Sequence, residues 1–193
     1  MWPWEHLAVA YVAVSLLFRA RGSRVGAPTA VVLAVGSQFP DLVDKPLAWS
    51  FGVLPSGTTL AHSVFVATPA CLLVWAIGRR HGHAGPALAF AVAYALHLPG
   101  DILYGPLTSG GLLSLDPLLW PLVAKAETGA PAGLLGETLS YVRQFGAFLS
   151  RPEAAGYLFL EVCLLGSATA LWFADGCPGV GTLRRGRARI WGH

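Results

Sequence analysis

LAHSVFVATPACLLVWAIGRRHGHAGPALAFAVAYALHLPGDIL, residues 60–103, decides the fold. Two apolar runs, Leu60 to Ile77 and Ala84 to Leu103, flank the basic turn Gly78-Arg79-Arg80-His81-Gly82-His83. Each run is close to the roughly 20 residues that a helix needs to cross a hydrocarbon layer. The stretch therefore predicts two antiparallel membrane helices joined by a tight turn. Composition agrees: of 193 residues, 54% are hydrophobic and only 12% charged, against about a quarter charged in soluble domains. The mean hydropathy is +0.58. These values exclude an ordinary water-soluble globule, a disordered chain and collagen. The cysteines Cys71, Cys163 and Cys177 form no CxxC pair, and a disulfide scaffold is excluded as well.

Working outward, His6 to Phe18 forms an apolar run followed by Arg19, Arg21 and Arg24, the reverse of a signal peptide's positive start. A second run, Ala27 to Phe39, is expected to stop at Pro40, because the residue before a proline is pushed out of helical geometry. Beyond residue 103, Gly105 to Gly111 (GPLTSGG) is too rich in turn residues for a helix interior. Leu112 to Val123, broken by Pro117 and Pro121, reads as a re-entrant or interfacial element. Between Ala124 and Pro152, Leu134, Leu139, Val142, Phe145 and Leu149 recur at helical spacing among charged residues and predict an amphipathic surface helix. Ala154 to Ala174 is the last apolar run, and a basic tail follows. The fold expected is an all-α integral membrane protein, a bundle of about five transmembrane helices in a single membrane domain. No internal repeat or linker divides it.

Charge orients that bundle. If the first helix runs inward and the others alternate, nine of the thirteen lysines and arginines lie on the cytoplasmic side, with Lys45, Lys125, Arg143 and Arg151 as exceptions. The net charge of +3 thus sits in clusters at helix ends and does not imply a nucleic-acid partner. The partner implied is the bilayer, the protein is a multi-pass membrane protein, and the basic C-terminal tail is cytoplasmic.

Ionisable residues at membrane depth are costly, and by default they mark function. Six stand out: His6, Asp41, Asp44, His62, His97 and Asp101. At about 1.5 Å per residue, His6 lies roughly 20 Å from Arg19, and His62 and His97 roughly 25 Å from Arg79 and Arg80. Helix two spans a similar length, so four segments deliver their polar residues to one level near the outer face. Imidazole plus carboxylate without thiolate is a ligand set for zinc, and also for manganese or iron. The cofactor expected is a divalent metal ion, zinc first. His6, Asp41, His62, His97 and Asp101 are the metal-ligand candidates, and Asp44 and His62 the catalytic candidates for moving a proton. Spacing alone does not divide the roles. Single histidines are often hydrogen-bonded helix-end residues, and Asp41 alone could cap a helix. It is six polar residues at one level that point to a site. Glu161, Asp116, His81, His83 and His193 are left outside it, and Ser63 beside His62 is a candidate contact to substrate or to a ligand.

At these residues the sequence resembles the YdjM-like family, LexA-regulated inner-membrane proteins described as metal-dependent hydrolases. The resemblance rests on WPWEHLAVAY with His6, GSQFPDLVDKPLAW with Asp41 and Asp44, LPSGTTLAHS with His62, and HLPGDILYGPLTSGGLLSLDPLLWPL with His97 and Asp101. It covers about Trp2 to Pro121. Residues 122–175 then hold the amphipathic segment and last helix, and residues 176–193 the tail. The second aspartate here follows the first after two residues where the family commonly has one, and Ser56 and Gly57 stand where a histidine-arginine pair is usual. The resemblance implies metal-assisted hydrolysis of a phosphoester or lipid-like substrate. Two other classes fit the same His/Asp cluster: an ion- or proton-coupled transporter or channel, and a structural membrane protein stapled by metal. A metal-free lipid phosphatase would need phosphate-holding arginines and a lysine that these segments lack.

Overall fold

The computed structural model describes residues 1–124 and 132–180. Lys125, Glu127 and most of the basic tail lie outside the described residues. Those described form seven helices and no strand, in the order α1 (Pro3–Ala20), α2 (Ala27–Trp49), α3 (Val64–Arg80), α4 (Ala84–Ser109), α5 (Asp116–Leu119), α6 (Gly133–Leu149) and α7 (Ala154–Ala174). The all-helical reading holds. Two of the helices, over Ala84–Thr108 and Ala154–Ala174, are long and apolar enough to cross a membrane. In α1 and α2 the charged residues Glu5, Arg19, Asp41, Asp44 and Lys45 interrupt the apolar runs, and α3 has only 17 residues.

Local signals explain most boundaries. Pro3 occupies the first turn of α1, where its missing N–H costs nothing, and Glu5 Oε2 accepts the Trp2 N–H at 2.5 Å. Ser63 caps α3 by accepting the Phe65 N–H at 3.2 Å. Gly110 ends α4 in the left-handed region, φ +66°, which glycine enters without strain.

Two expectations fail at prolines. Helix α2 does not stop at Pro40; it continues through Pro40 and Pro46 to Trp49. Likewise α4 runs through Pro99, Gly105 and Pro106 to Ser109, so the GPLTS segment is helical. A proline removes one ladder bond, and packing of α2 and α4 against their neighbours compensates. The segment from Leu112 to Val123 contains only the short α5, and α3 begins at Val64 rather than Leu60, so His62 precedes it.

Helix α4 is the hub, packed against α1, α2 and α3. One apolar core joins Ala10, Val14 and Phe18 of α1 to Leu33 of α2 and Ala89 and Ala93 of α4; a second joins Ala67 of α3 to Phe90, Tyr94 and Leu98. Close approach of α2 and α4 depends on Gly36, where a Cβ would lie 2.8 Å from the Phe90 carbonyl oxygen. Helix α7 is peripheral and packs mainly on α1, leaving Leu158, Phe159, Leu160 and Val162 exposed.

Candidate metal centre

The proline-bearing halves of α2 and α4 and the loop before α3 converge on one point. Asp41 Oδ1, His62 Nε2, His97 Nε2 and Asp101 Oδ2 all approach one another there, the four ligand atoms lying within 4.8 Å. The two Nε2 atoms are 3.2 Å apart. Asp101 Oδ2 is 3.2 Å from His62 Nε2 and 3.4 Å from His97 Nε2. Asp41 Oδ1 is 3.7 and 3.8 Å from the same nitrogens. Ligands bonded tetrahedrally at zinc's usual lengths are about 3.3 Å apart.

The outer partners fix which atoms face inward. His97 Nδ1 lies 2.7 Å from the Ser37 carbonyl oxygen. A carbonyl only accepts, so Nδ1 carries the hydrogen and a neutral ring presents a lone pair at Nε2. His62 Nδ1 lies 2.8 Å from Asp44 Oδ2, which orients that ring in the same sense. Two nitrogen lone pairs and two carboxylate oxygens therefore face a common centre. Asp41 Oδ1 is buried with no hydrogen-bond partner, a costly state for a carboxylate unless a cation answers it. The donor set fits a divalent metal.

Electrostatics point the same way. On the loop between α2 and α3, burial disfavours the His62 imidazolium. The hydrogen bonds to Asp101 and Asp44 and the charges of both carboxylates outweigh that burial, and the pKa is displaced upward. The centre attracts positive charge.

Asp44 stands apart from the four ligand atoms. It is fully buried and accepts from the backbone N–H groups of Thr59 (2.8 Å), Ala61 (2.9 Å) and His62 (3.3 Å) as well as from the His62 ring. Its acceptor capacity goes to shaping residues 59–62 and aiming His62. His6 is also outside the four. Its Nε2 is 3.0 Å from Asp101 Oδ1, and its ring stacks on His97 with centroids 3.7 Å apart. The amino group of Met1 lies 2.5 Å from the same Asp101 oxygen. Lys45 holds Asp41 Oδ2 at 2.5 Å and sits over the Trp49 ring. All six residues selected from sequence thus meet, as four inward-facing groups and two supporting ones.

Several residues outside that selection have roles of their own. Ser63 caps α3 and donates to the Trp120 carbonyl at 2.5 Å. Glu161 accepts from the Trp4 indole at 2.5 Å. Buried Glu5 accepts from Trp2 N–H and the Tyr157 hydroxyl. At the opposite end of the bundle, the buried carboxylate of Asp175 accepts from Tyr11 (3.1 Å), Ser15 (2.7 Å) and Arg19 (2.6 Å). Sequence reasoning selected neither Glu5 nor Asp175, because the partners that bury them, Tyr157 and Arg19, lie 152 and 156 residues away.

Beside the centre is a cavity whose lining includes His62 and Asp101 together with Leu98, Ile102, Pro106 and Leu118. No curated protein and no solved structure matches the chain. The YdjM inner membrane protein family matches residues 1–174, extending past Pro121 through α6 and α7. The chain belongs to the YdjM inner membrane protein family.

Proposed function

We propose that this protein is a multi-pass membrane hydrolase that uses a divalent metal, zinc first among the candidates, on a phosphoester or lipid-like substrate near the outer membrane face. The observation that carries the reading is the convergence of four electron-pair donors, including the unpartnered Asp41 Oδ1, beside a cavity. Asp41, His62, His97 and Asp101 would hold the ion. A bound divalent ion supplies Lewis-acid polarisation of the substrate oxygen and lowers the pKa of water toward neutrality. The protein's part is to aim the ligands: Asp44 through His62, Ser37 through His97, and His6 through Asp101. Asp44 would act through His62, holding the ring's Nδ1 hydrogen so that Nε2 is turned to the ion.

In the membrane reading, α1, α2, α3, α4 and α7 span the bilayer, α6 lies along its outer surface, and the basic tail is cytoplasmic. The grouping of Arg19, Arg79 and Arg80 at helix ends remote from the metal centre supports this orientation.

Elemental analysis of the purified full chain, beside an Asp41→Ala, His97→Ala double variant, tests the reading. About one or two equivalents of metal, lost in the variant, together with turnover of an ester or phosphoester, are expected. No metal in folded protein after metal is added back would overturn it. Retained metal with no turnover and unfolding on chelation would make the site a structural staple, and ion flux in vesicles without hydrolysis would make the protein a transporter.

A further inference from the structure

The lining of the cavity is polar at His62 and Asp101, the two residues it shares with the candidate metal centre and here called its floor, and apolar at Leu98, Ile102, Leu112 and Leu118. Its volume, about 230 Å³, falls below the roughly 300–1,000 Å³ of pockets that hold drug-sized molecules. A slot of this kind suits one unbranched hydrocarbon chain with its polar end at the floor.

Charge narrows the chemistry at that end. The two ammonium groups nearest the centre are committed elsewhere, Lys45 to Asp41 Oδ2 and the Met1 amino group to Asp101 Oδ1. Among the described residues that line the cavity, none is a lysine or arginine, and the polar side chains besides the floor are the hydroxyls of Thr58 and Ser114. A phosphate monoester brings close to two negative charges, for which proteins gather guanidinium and ammonium groups. A carboxylic ester is neutral and needs one electrophile at its carbonyl oxygen.

Resting on the hydrolase reading above, we propose that the slot holds the acyl chain of a single-chain amphiphile and that the bond cut is its carboxylic ester. Water and ester give acid and alcohol: the water oxygen bonds to the acyl carbon, the ester C–O bond breaks, and a proton from water ends on the leaving alkoxide.

The test uses the full chain in lipid nanodiscs with a dodecanoic acid that carries a photoreactive diazirine, the labelled peptides being mapped by mass spectrometry. Label is expected on residues 98–106 and 117–118 above the level on the lipid-facing side of α7. It should fall to the α7 level in Ile102→Trp and in Leu118→Trp, either of which suffices if the other does not fold. Metal content should be unchanged in both. Label no higher than on α7, or unmoved by the variants, would overturn the slot. In parallel, dodecanoate esters should be hydrolysed in preference to dodecyl phosphate; the reverse preference would overturn the ester. Labelling requires neither metal nor turnover, so its outcome is separate from that of the hydrolase reading, which metal content reports.

Discussion

His62 Nε2 and His97 Nε2 face each other across 3.2 Å while the second nitrogen of each ring is committed to an oxygen acceptor, Asp44 Oδ2 and the Ser37 carbonyl. With both Nδ1 atoms so committed, the two Nε2 atoms face one space, and a cation there meets both. Metal should therefore stabilise the fold as well as occupy it. Zinc at about 100 times its dissociation constant is expected to add about 2.7 kcal/mol, read as a rise in unfolding temperature in detergent. The shift should vanish in His97→Ala. An equal shift in that variant would mean that zinc binds elsewhere.

Asp41 and Asp44 stand one helical turn apart and should behave oppositely without metal. Asp44→Ala removes the acceptor for three backbone N–H groups and for His62 Nδ1. With charged hydrogen bonds at about 1.5–3 kcal/mol each, metal-free protein should lose at least about 3 kcal/mol. Asp41→Ala removes a carboxylate with one unpartnered buried oxygen and one ion pair to Lys45. Its metal-free stability should change by less than about 1 kcal/mol. Denaturation of both variants in chelator checks the contrast, and equal losses would refute the division of roles.

The site was legible because ionisable side chains within apolar runs are rare. Histidine and aspartate in the runs PDLVDKP, LAHS and HLPGD carried a signal that apolar context amplified. Which of them faced inward was not legible, because that depends on where α2 and α4 cross and on the Ser37 carbonyl, which no side-chain pattern reveals. The prolines misled for a related reason. Pro40 and Pro106 break ladder bonds locally, yet α2 and α4 continue because tertiary packing holds them. Asp175 was invisible as a partner of Arg19, Ser15 and Tyr11, since 156 residues separate it from Arg19.

At Gly36 the two helices that carry Asp41 and His97 approach each other closely. A methyl group there would meet the Phe90 carbonyl oxygen at 2.8 Å and its Cα at 3.0 Å. Gly36→Ala should force α2 and α4 apart and cost about 1–3 kcal/mol, with metal affinity falling because the ligands separate. Gly146→Ala on α6, where nothing lies within 4 Å, is the control: it should leave metal affinity unchanged and raise stability by about 0.5–1 kcal/mol. Thermal unfolding and zinc titration of the pair distinguish a packing effect from a general glycine effect.

Asp175 fastens α7 to α1. Its buried carboxylate accepts three side-chain donors, with Arg19 at 2.6 Å, and removing one partner of a buried ion pair costs about 3–5 kcal/mol. Because Arg19 is 31% exposed, solvent screening puts the expected loss for Asp175→Ala at or below the lower end of that range. Limited proteolysis should then cut ahead of α7 at lower protease concentration than in wild type. Since the candidate metal centre lies at the other end of α1, any metal content should not change.

The orientation of the bundle can be read by thiol labelling after Cys71, Cys163 and Cys177 are replaced by serine. The turn after α1, with Ser23, and the turn between α3 and α4, with His81, adjoin Arg19, Arg79 and Arg80. Ser114 instead lines the cavity beside the metal centre. Arginines concentrate on the cytoplasmic side, so cysteines at Ser23 and His81 should react with a membrane-impermeant maleimide only in inverted vesicles. A cysteine at Ser114 should react in intact spheroplasts. If Ser114 and Ser23 label from the same side, α1, α2, α3 and α4 cannot all span the bilayer. If the sides are exchanged, the metal centre opens toward the cytoplasm, and a substrate would have to reach it from the inner leaflet.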